Sequence, residues 1–152
     1  MSKRNLINIL FLGSILFIII LTMFPEASLG TGVEQGGTNF VPFYTIGNLL
    51  FHHSFAEFIK NNIGNIILFI PFGFMLSFKF NNINGLLKGC LVGMLLSTSI
   101  ECIQLFMPNR WTDIDDVILN TLGAGLGFVL FKLTNQMCKT YKEIHHAKED
   151  CD

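Results

Sequence analysis

Four long apolar runs, Leu6–Phe24, Ile63–Phe78, Leu86–Met107 and Val117–Leu133, constrain this chain more than any other feature. Crossing the hydrocarbon core of a bilayer takes about 20 residues, with about 17 as the lower limit. The first and third runs meet that length outright. The second and fourth are shorter and interrupted by glycine, and the second also carries Pro71. As soluble helices they would leave too little polar chain to cover them. Hydrophobic residues make up 51% of the 152 residues and charged ones 14%, with a mean hydropathy of +0.53. A soluble domain needs more charge than that. The expected fold is therefore an all-α integral membrane bundle of four transmembrane helices, a single domain over residues 1–152. A net charge of −1 creates no basic field, so nucleic acid is not an expected partner, whereas membrane lipids are.

The placement of the basic residues sets the expected orientation. Lys3 and Arg4 precede the first run, Lys79 and Lys88 flank the connection between the second and third, and Lys132, Lys139, Lys142 and Lys148 close and follow the fourth. The two other connections hold Lys60 and Arg110 alone. Lysine and arginine gather on the cytoplasmic side. Both chain ends and the middle connection are thus expected inside, and the segments 25–62 and 108–116 outside. A cleaved signal peptide is the competing reading of the N-terminus, with Ser28 and Gly30 as the small residues. Its apolar run exceeds the usual signal length of about 7–15 residues.

Cys90 and Cys102 share one expected helix and stand roughly 18 Å apart along it, beyond bridging reach. Cys138 and Cys151 fall in the expected cytoplasmic tail, where thiols stay reduced. No zinc-type spacing is present, and neither a metal nor a cofactor is expected. The outer segment opens with a glycine-rich stretch, 27–32. From Ile46 to Lys60 helical spacing of Phe51, Phe55, Phe58 and Ile59 predicts an amphipathic helix on the membrane surface or against the bundle. The tail beyond Thr134 is polar, of mixed charge, and expected to fray. Gly89-x-x-x-Gly93 and Gly123-x-x-x-Gly127 predict close helix approach. Pro71 with Gly73 predicts a bent or broken second helix. The pairs His52-His53 and His145-His146 read as solvated surface, and Tyr44 and Trp111 as residues of the outer interface.

Polar residues inside the runs are the functional signal. Glu101 and Gln104 share a helix face with Ser97, and Glu101 lies about 9 Å below the expected outer boundary. Asp116, Asn120, Gly123 and Gly127 share a face of the fourth run, and Asn61 and Asn65 begin the second. A carboxylate near the membrane centre costs on the order of 3 kcal/mol and needs a partner. Arg110 is the cation at hand for Glu101 or for the run Asp113-Ile114-Asp115-Asp116. The expectation is an outward-opening polar pocket between the second, third and fourth helices, with Glu101 at its base and Arg110 and the aspartates at its rim. Three roles stay open. These residues cross-link helices, with Asp113 and Asp116 capping the fourth; or they bind a polar head group or an antibiotic; or Glu101, Asp113 and Asp116 are catalytic, Glu101 as general acid or base and the aspartates as holders of a divalent metal.

The run Asn65-Ile66-Ile67-Leu68-Phe69-Ile70-Pro71-Phe72-Gly73 resembles the second-helix motif of the VanZ-like family. Ser97 to Gln104 is similar to its third-helix segment. Arg110 to Gly127, RWTDIDDVILNTLGAGLG, resembles its arginine, aspartates and Asn-Thr-Leu-Gly, and Asn39-Phe40-Val41-Pro42-Phe43 a short motif of its outer loop. The match runs over residues 39–133. The resemblance implies a multi-pass protein of the bacterial cell membrane, in Gram-positive cells, with a role touching teicoplanin resistance or cell-envelope components. It brings no established catalytic mechanism. The positions it carries over are Asn65, Glu101, Gln104, Arg110, Asp113, Asp116 and Asn120. Binding by the outward pocket is the leading expectation, a membrane-embedded enzyme acting on a lipid-linked or surface-polymer substrate the alternative, and an envelope scaffold the third. The oligomeric state is not legible.

Overall fold

In the computed structural model, which describes residues 2–24, 36–80, 82–83 and 85–149 and side chains up to residue 144, each apolar run becomes a helix. The chain order is α1 (Lys3–Met23), β1 (Gly37–Asn39), α2 (Tyr44–His52), α3 (Phe55–Phe58), a π-helical turn (Ile59–Ile63), α4 (Gly64–Lys79), α5 (Leu86–Gln104), β2 (Trp111–Asp113) and α6 (Ile114–Glu149). Four stretches, Lys3–Met23, Phe55–Lys79, Leu86–Gln104 and Ile114–Ile144, are long and apolar enough to cross a membrane. The protein is an all-α, multi-pass four-helix bundle. The glycine-rich stretch 27–32 with Ser28 and Gly30, the side chains of His145 and His146, and Cys151 lie outside the described residues.

The core gathers Ile18 of α1, Leu68, Phe69, Phe72 and Leu76 of α4, Ile100 of α5 and Ala124 of α6. Two helices set its geometry, for α6 lies closely along both α4 and α5. Glycine permits that approach. A Cβ on Gly123 would stand 2.2 Å from the Ile66 carbonyl oxygen, and one on Gly73 would stand 2.1 Å from that of Ala124. Between apolar helices in lipid, association rests on such packing rather than on escape from water.

Several boundaries differ from expectation. Pro71 neither ends nor interrupts α4, which runs unbroken from Gly64 to Lys79. Neighbouring helices hold a membrane helix through the loss of one hydrogen bond. The irregular turn comes earlier, at Ile59–Ile63, where the Nδ2 groups of Asn61 and Asn62 donate to the carbonyls of Glu57 and Phe58. Those are the acceptors an α-helical ladder would use four residues on, and the backbone there widens instead.

The expected surface helix from Ile46 to Lys60 is two pieces. α2 ends at His52, and Ser54 starts α3 with a capping box: its Oγ accepts from the Glu57 amide at 3.3 Å and its own amide donates to Glu57 Oε2 at 3.1 Å. The second piece runs on into α4. α6 begins at Ile114, ahead of the apolar run, and continues through the polar tail to Glu149, which corrects the expectation of a frayed tail. Cys90, Cys102 and Cys138 are free thiols. Tyr44 and Trp111 are exposed.

Nothing in the residue pattern announced the two-stranded parallel ladder, in which Gly37, Thr38 and Asn39 pair with Trp111, Thr112 and Asp113. It ties the segment before α2 to the start of α6.

Adding one methyl group at Gly123 should cost about 1–3 kcal/mol through overpacking. Gly123→Ala is therefore expected to lower the unfolding temperature of the detergent-solubilised protein. Gly13→Ala, where a Cβ meets nothing within 4 Å, is expected to leave it unchanged.

Candidate functional site

The polar residues singled out above collect at one end of the bundle, where α1 and α5 end and α4 and α6 begin. Helix ends leave four backbone amides or carbonyls without partners, and burying them unpaired is costly. At this end the side chains meet that need across elements rather than within them.

The start of α6 distributes its carboxyl groups among three directions. Asp113 Oδ1 accepts the Asp115 amide at 2.9 Å, which caps α6 itself, and also accepts Asn39 Nδ2 at 2.8 Å. Asp115, only 1% exposed, turns away to another helix. Its Oδ1 accepts the Phe43 amide at 2.5 Å and its Oδ2 the Ile46 amide at 3.1 Å, so it caps α2 from outside. Phe43 stands at φ 66°, the left-handed region that a residue with a Cβ adopts at a cost of roughly 1–2 kcal/mol. The bond to Asp115 offsets that cost. Asp116 Oδ1 accepts Asn65 Nδ2 at 2.5 Å and joins α6 to α4. The expected cap by Asp116 is thus replaced by this cross-link, while the cap by Asp113 is present.

Glu101, near the end of α5, accepts the Asp113 amide on Oε2 at 2.8 Å, and its backbone oxygen accepts Thr112 Oγ1 at 3.4 Å. One turn earlier, Ser97 Oγ accepts Asn120 Nδ2 at 2.9 Å, a second bond between α5 and α6. Asn120 Oδ1 is buried without a partner among the described residues.

Arg110 is buried, and its hydrogen bonds run to a helix end. Nη2 donates to the carbonyl oxygens of Leu21 and Thr22, the former at 3.1 Å. Gln104 Nε2 donates to the same Thr22 oxygen at 2.9 Å. A cation at a helix C-terminus meets the negative end of the dipole as well as the orphan carbonyls. Burial pushes the Arg110 guanidinium below its ordinary pKa, and the charges of Asp116 and Glu101 push it back up. The expected link from Arg110 to Glu101 and the aspartates is therefore one of field, while its hydrogen bonds to the α1 carbonyls tie α1 to the site.

The pocket at this end has about 250 Å³ and is lined by Gly36, Gly37 and Thr38, by Gln104, by Arg110 of the α5–β2 connection and by Thr112 of β2. Glu101 and the three aspartates are not among its lining residues, nor is any residue of α4. This corrects the expected base and walls: the carboxyl groups are spent on amides, and the β1 segment takes the place assigned to the second helix. Gly36 closes it tightly, since a Cβ there would stand 2.5 Å from the Arg110 carbonyl oxygen. Gln104 Oε1 is buried and has no partner among the described residues.

Pro71 lies away from this constellation, on a groove between α1 and α4, and Gly123 serves helix packing. Asn61 Nδ2 donates to the Glu57 carbonyl of its own span, and among the described residues no side-chain bond joins it to the site. Asn39 and Thr112 were missed as site residues. The sole sequence signal for Asn39 was its place in the Asn-Phe-Val-Pro-Phe motif. Among the described residues no three His, Cys, Asp or Glu side chains converge as a metal cluster.

A model of the VanZ/LLP1 family matches residues 9–135 of this chain. Protein VanZ of Enterococcus faecium is 38% identical over 103 residues, covering 68% of this chain and 57% of the relative. The chain thus spans a little over half the length of that relative. No solved structure matches.

Asp115→Ala removes the acceptor of two amides, each charge-assisted bond being worth about 1.5–3 kcal/mol. Hydrogen exchange at Phe43 and Ile46 is expected to speed up at least about tenfold in the variant. Unchanged exchange in a folded variant would contradict the cap.

Proposed function

The chain belongs to the VanZ/LLP1 family, and from that premise we propose that it is a multi-pass protein of the bacterial cell membrane that binds, rather than transforms, a cell-envelope component or a glycopeptide such as teicoplanin. In this reading the site end of the bundle faces outward, as the distribution of lysine and arginine suggests. A polar group rich in N–H or O–H donors enters the pocket of about 250 Å³ beside Thr38 and Gln104.

The observation that carries this reading is Gln104 Oε1, a buried acceptor without a partner among the described residues, on a residue that lines the pocket. A buried polar group left unpaired calls for an explanation, and a ligand donor supplies one. The carboxyl groups point the same way. Glu101, Asp113, Asp115 and Asp116 each accept a hydrogen bond from an amide of another element or from the α6 backbone, as parts of a frame do. A general acid or base would need an open path to substrate.

The test is antibiotic susceptibility of a sensitive Gram-positive host carrying the wild-type chain, Thr38→Trp, Glu101→Gln or an empty vector, with membrane abundance measured for each. Thr38→Trp fills the pocket mouth from an exposed position, and protection from teicoplanin is expected to vanish. Glu101→Gln keeps an oxygen for the Asp113 amide, and protection is expected to persist in good part. Complete loss in an abundant Glu101→Gln protein would favour the enzyme reading. Protection that survives Thr38→Trp would exclude the pocket and leave a scaffold.

A further inference from the structure

The face of the bundle remote from the site carries a second cavity, an apolar groove of about 590 Å³ between α1 and α4. Leu10, Gly13 and Phe17 form one wall, and Ile70, Pro71 and Phe74 the other. Its size falls in the range of about 300–1,000 Å³ typical of ligand sites. Gly13 opens the floor, because a Cβ there would meet nothing within 4 Å.

Lys3 and Lys79 stand beyond one end of this groove, where α1 begins and α4 ends. On α1, Lys3, Leu6, Leu10, Gly13 and Phe17 follow one another at steps of three and four residues, a single helix face. On α4, Pro71, Met75 and Lys79 are each four apart and share a face in the same way. The two helices run in opposite directions, so Lys3 and Lys79 come to the same end. Phe11 packs edge-on to Phe80, with ring centroids 5.6 Å apart, which sets the end of α4 beside the first half of α1. Lys79 Nζ lies 4.4 Å from the centroid of Phe11 and 5.2 Å from that of Phe80, at the α1–α4 contact one turn beyond the groove residue Met75. No carboxyl group pairs with it among the described residues.

An apolar trough that faces hydrocarbon and ends at two cations matches a molecule with an alkyl chain and an anionic head. We infer that the α1–α4 groove holds one anionic phospholipid, with an acyl chain along Gly13 and Pro71 and its phosphate at Lys79 and Lys3. Lysines near a membrane surface attract anionic lipid by about 1 kcal/mol each, close to a fivefold preference per cation. The inference is independent of the pocket reading, since no residue is shared between the two cavities.

Native mass spectrometry of the full-length protein in detergent, supplied with equal phosphatidylglycerol and phosphatidylcholine, tests it. Wild type should retain the anionic lipid at least about fivefold over the zwitterionic one. Lys79→Gln should reduce that preference by about fivefold. Gly13→Leu should lower retention of both lipids, since its side chain fills the trough. Should Gly13→Leu fail to insert, Met75→Trp fills the same space from α4. Equal retention of the two lipids by wild type, or undiminished retention in the filled variants, would overturn the inference. So would a dimer that the filled variants abolish, because a second copy would then occupy the groove.

Discussion

Most of the buried elements at the site end lean on Asp113, which ends β2, and on Asp115 and Asp116 in the first turn of α6. A helix N-terminus needs acceptors for its free amides, and one aspartate, Asp113, meets that need. Its neighbours are surplus to the cap and reach elsewhere: Asp115 to α2 and Asp116 to α4. Asp113 also gathers Asn39 from β1, and its amide engages Glu101 of α5. Arg110, just ahead of β2, closes the last helix end by donating to the α1 carbonyls. Six segments, α1, β1, α2, α4, α5 and the start of α6, are thereby joined by polar contacts at this end. Buried as it is, the frame is stable only when each member is satisfied, because a half-paired polar group in a low-dielectric setting costs more than an apolar one.

That economy gives each of the buried acidic residues a hydrogen-bond partner within the fold. An acidic side chain within a membrane segment ordinarily signals function. Here hydrogen-bond partners account for four of them. What the frame leaves over is small: a buried Gln104 oxygen, a buried Asn120 oxygen, and a polar hollow bounded by Gly36 and Arg110. The binding role proposed above would draw on that remainder, whose shape the frame sets. The groove between α1 and α4 belongs to a different physical regime, apolar and cation-ended, and the two features divide the bundle into a polar end and a lipid-facing flank.

Helix number and type were legible because hydrophobic length alone decides what crosses a bilayer. So were the link between Asn65 and α6 as members of one site and the close approach at Gly123, since each follows from helical spacing. The partner of each carboxyl group was not. Pairing Asn39 with Asp113 closes a loop of 74 residues, and no periodicity reports a contact of that range. Arg110 was assigned to the nearest charges, yet backbone carbonyls at a helix end compete equally for a guanidinium. Pro71 was read by a rule for helices in water. Packing by α1 and α6 overrides it.

The central claim is that the α6 carboxyl groups bear structural load by binding specific distant partners. A double-mutant cycle on Asn65→Ala and Asp116→Ala, followed by reversible unfolding of the full-length protein in detergent, measures this most directly. The account predicts a coupling of about 1 kcal/mol or more, with the double variant hardly less stable than the worse single one. Losses that simply add would mean that Asn65 and Asp116 act independently, and the frame described here would not exist at that joint.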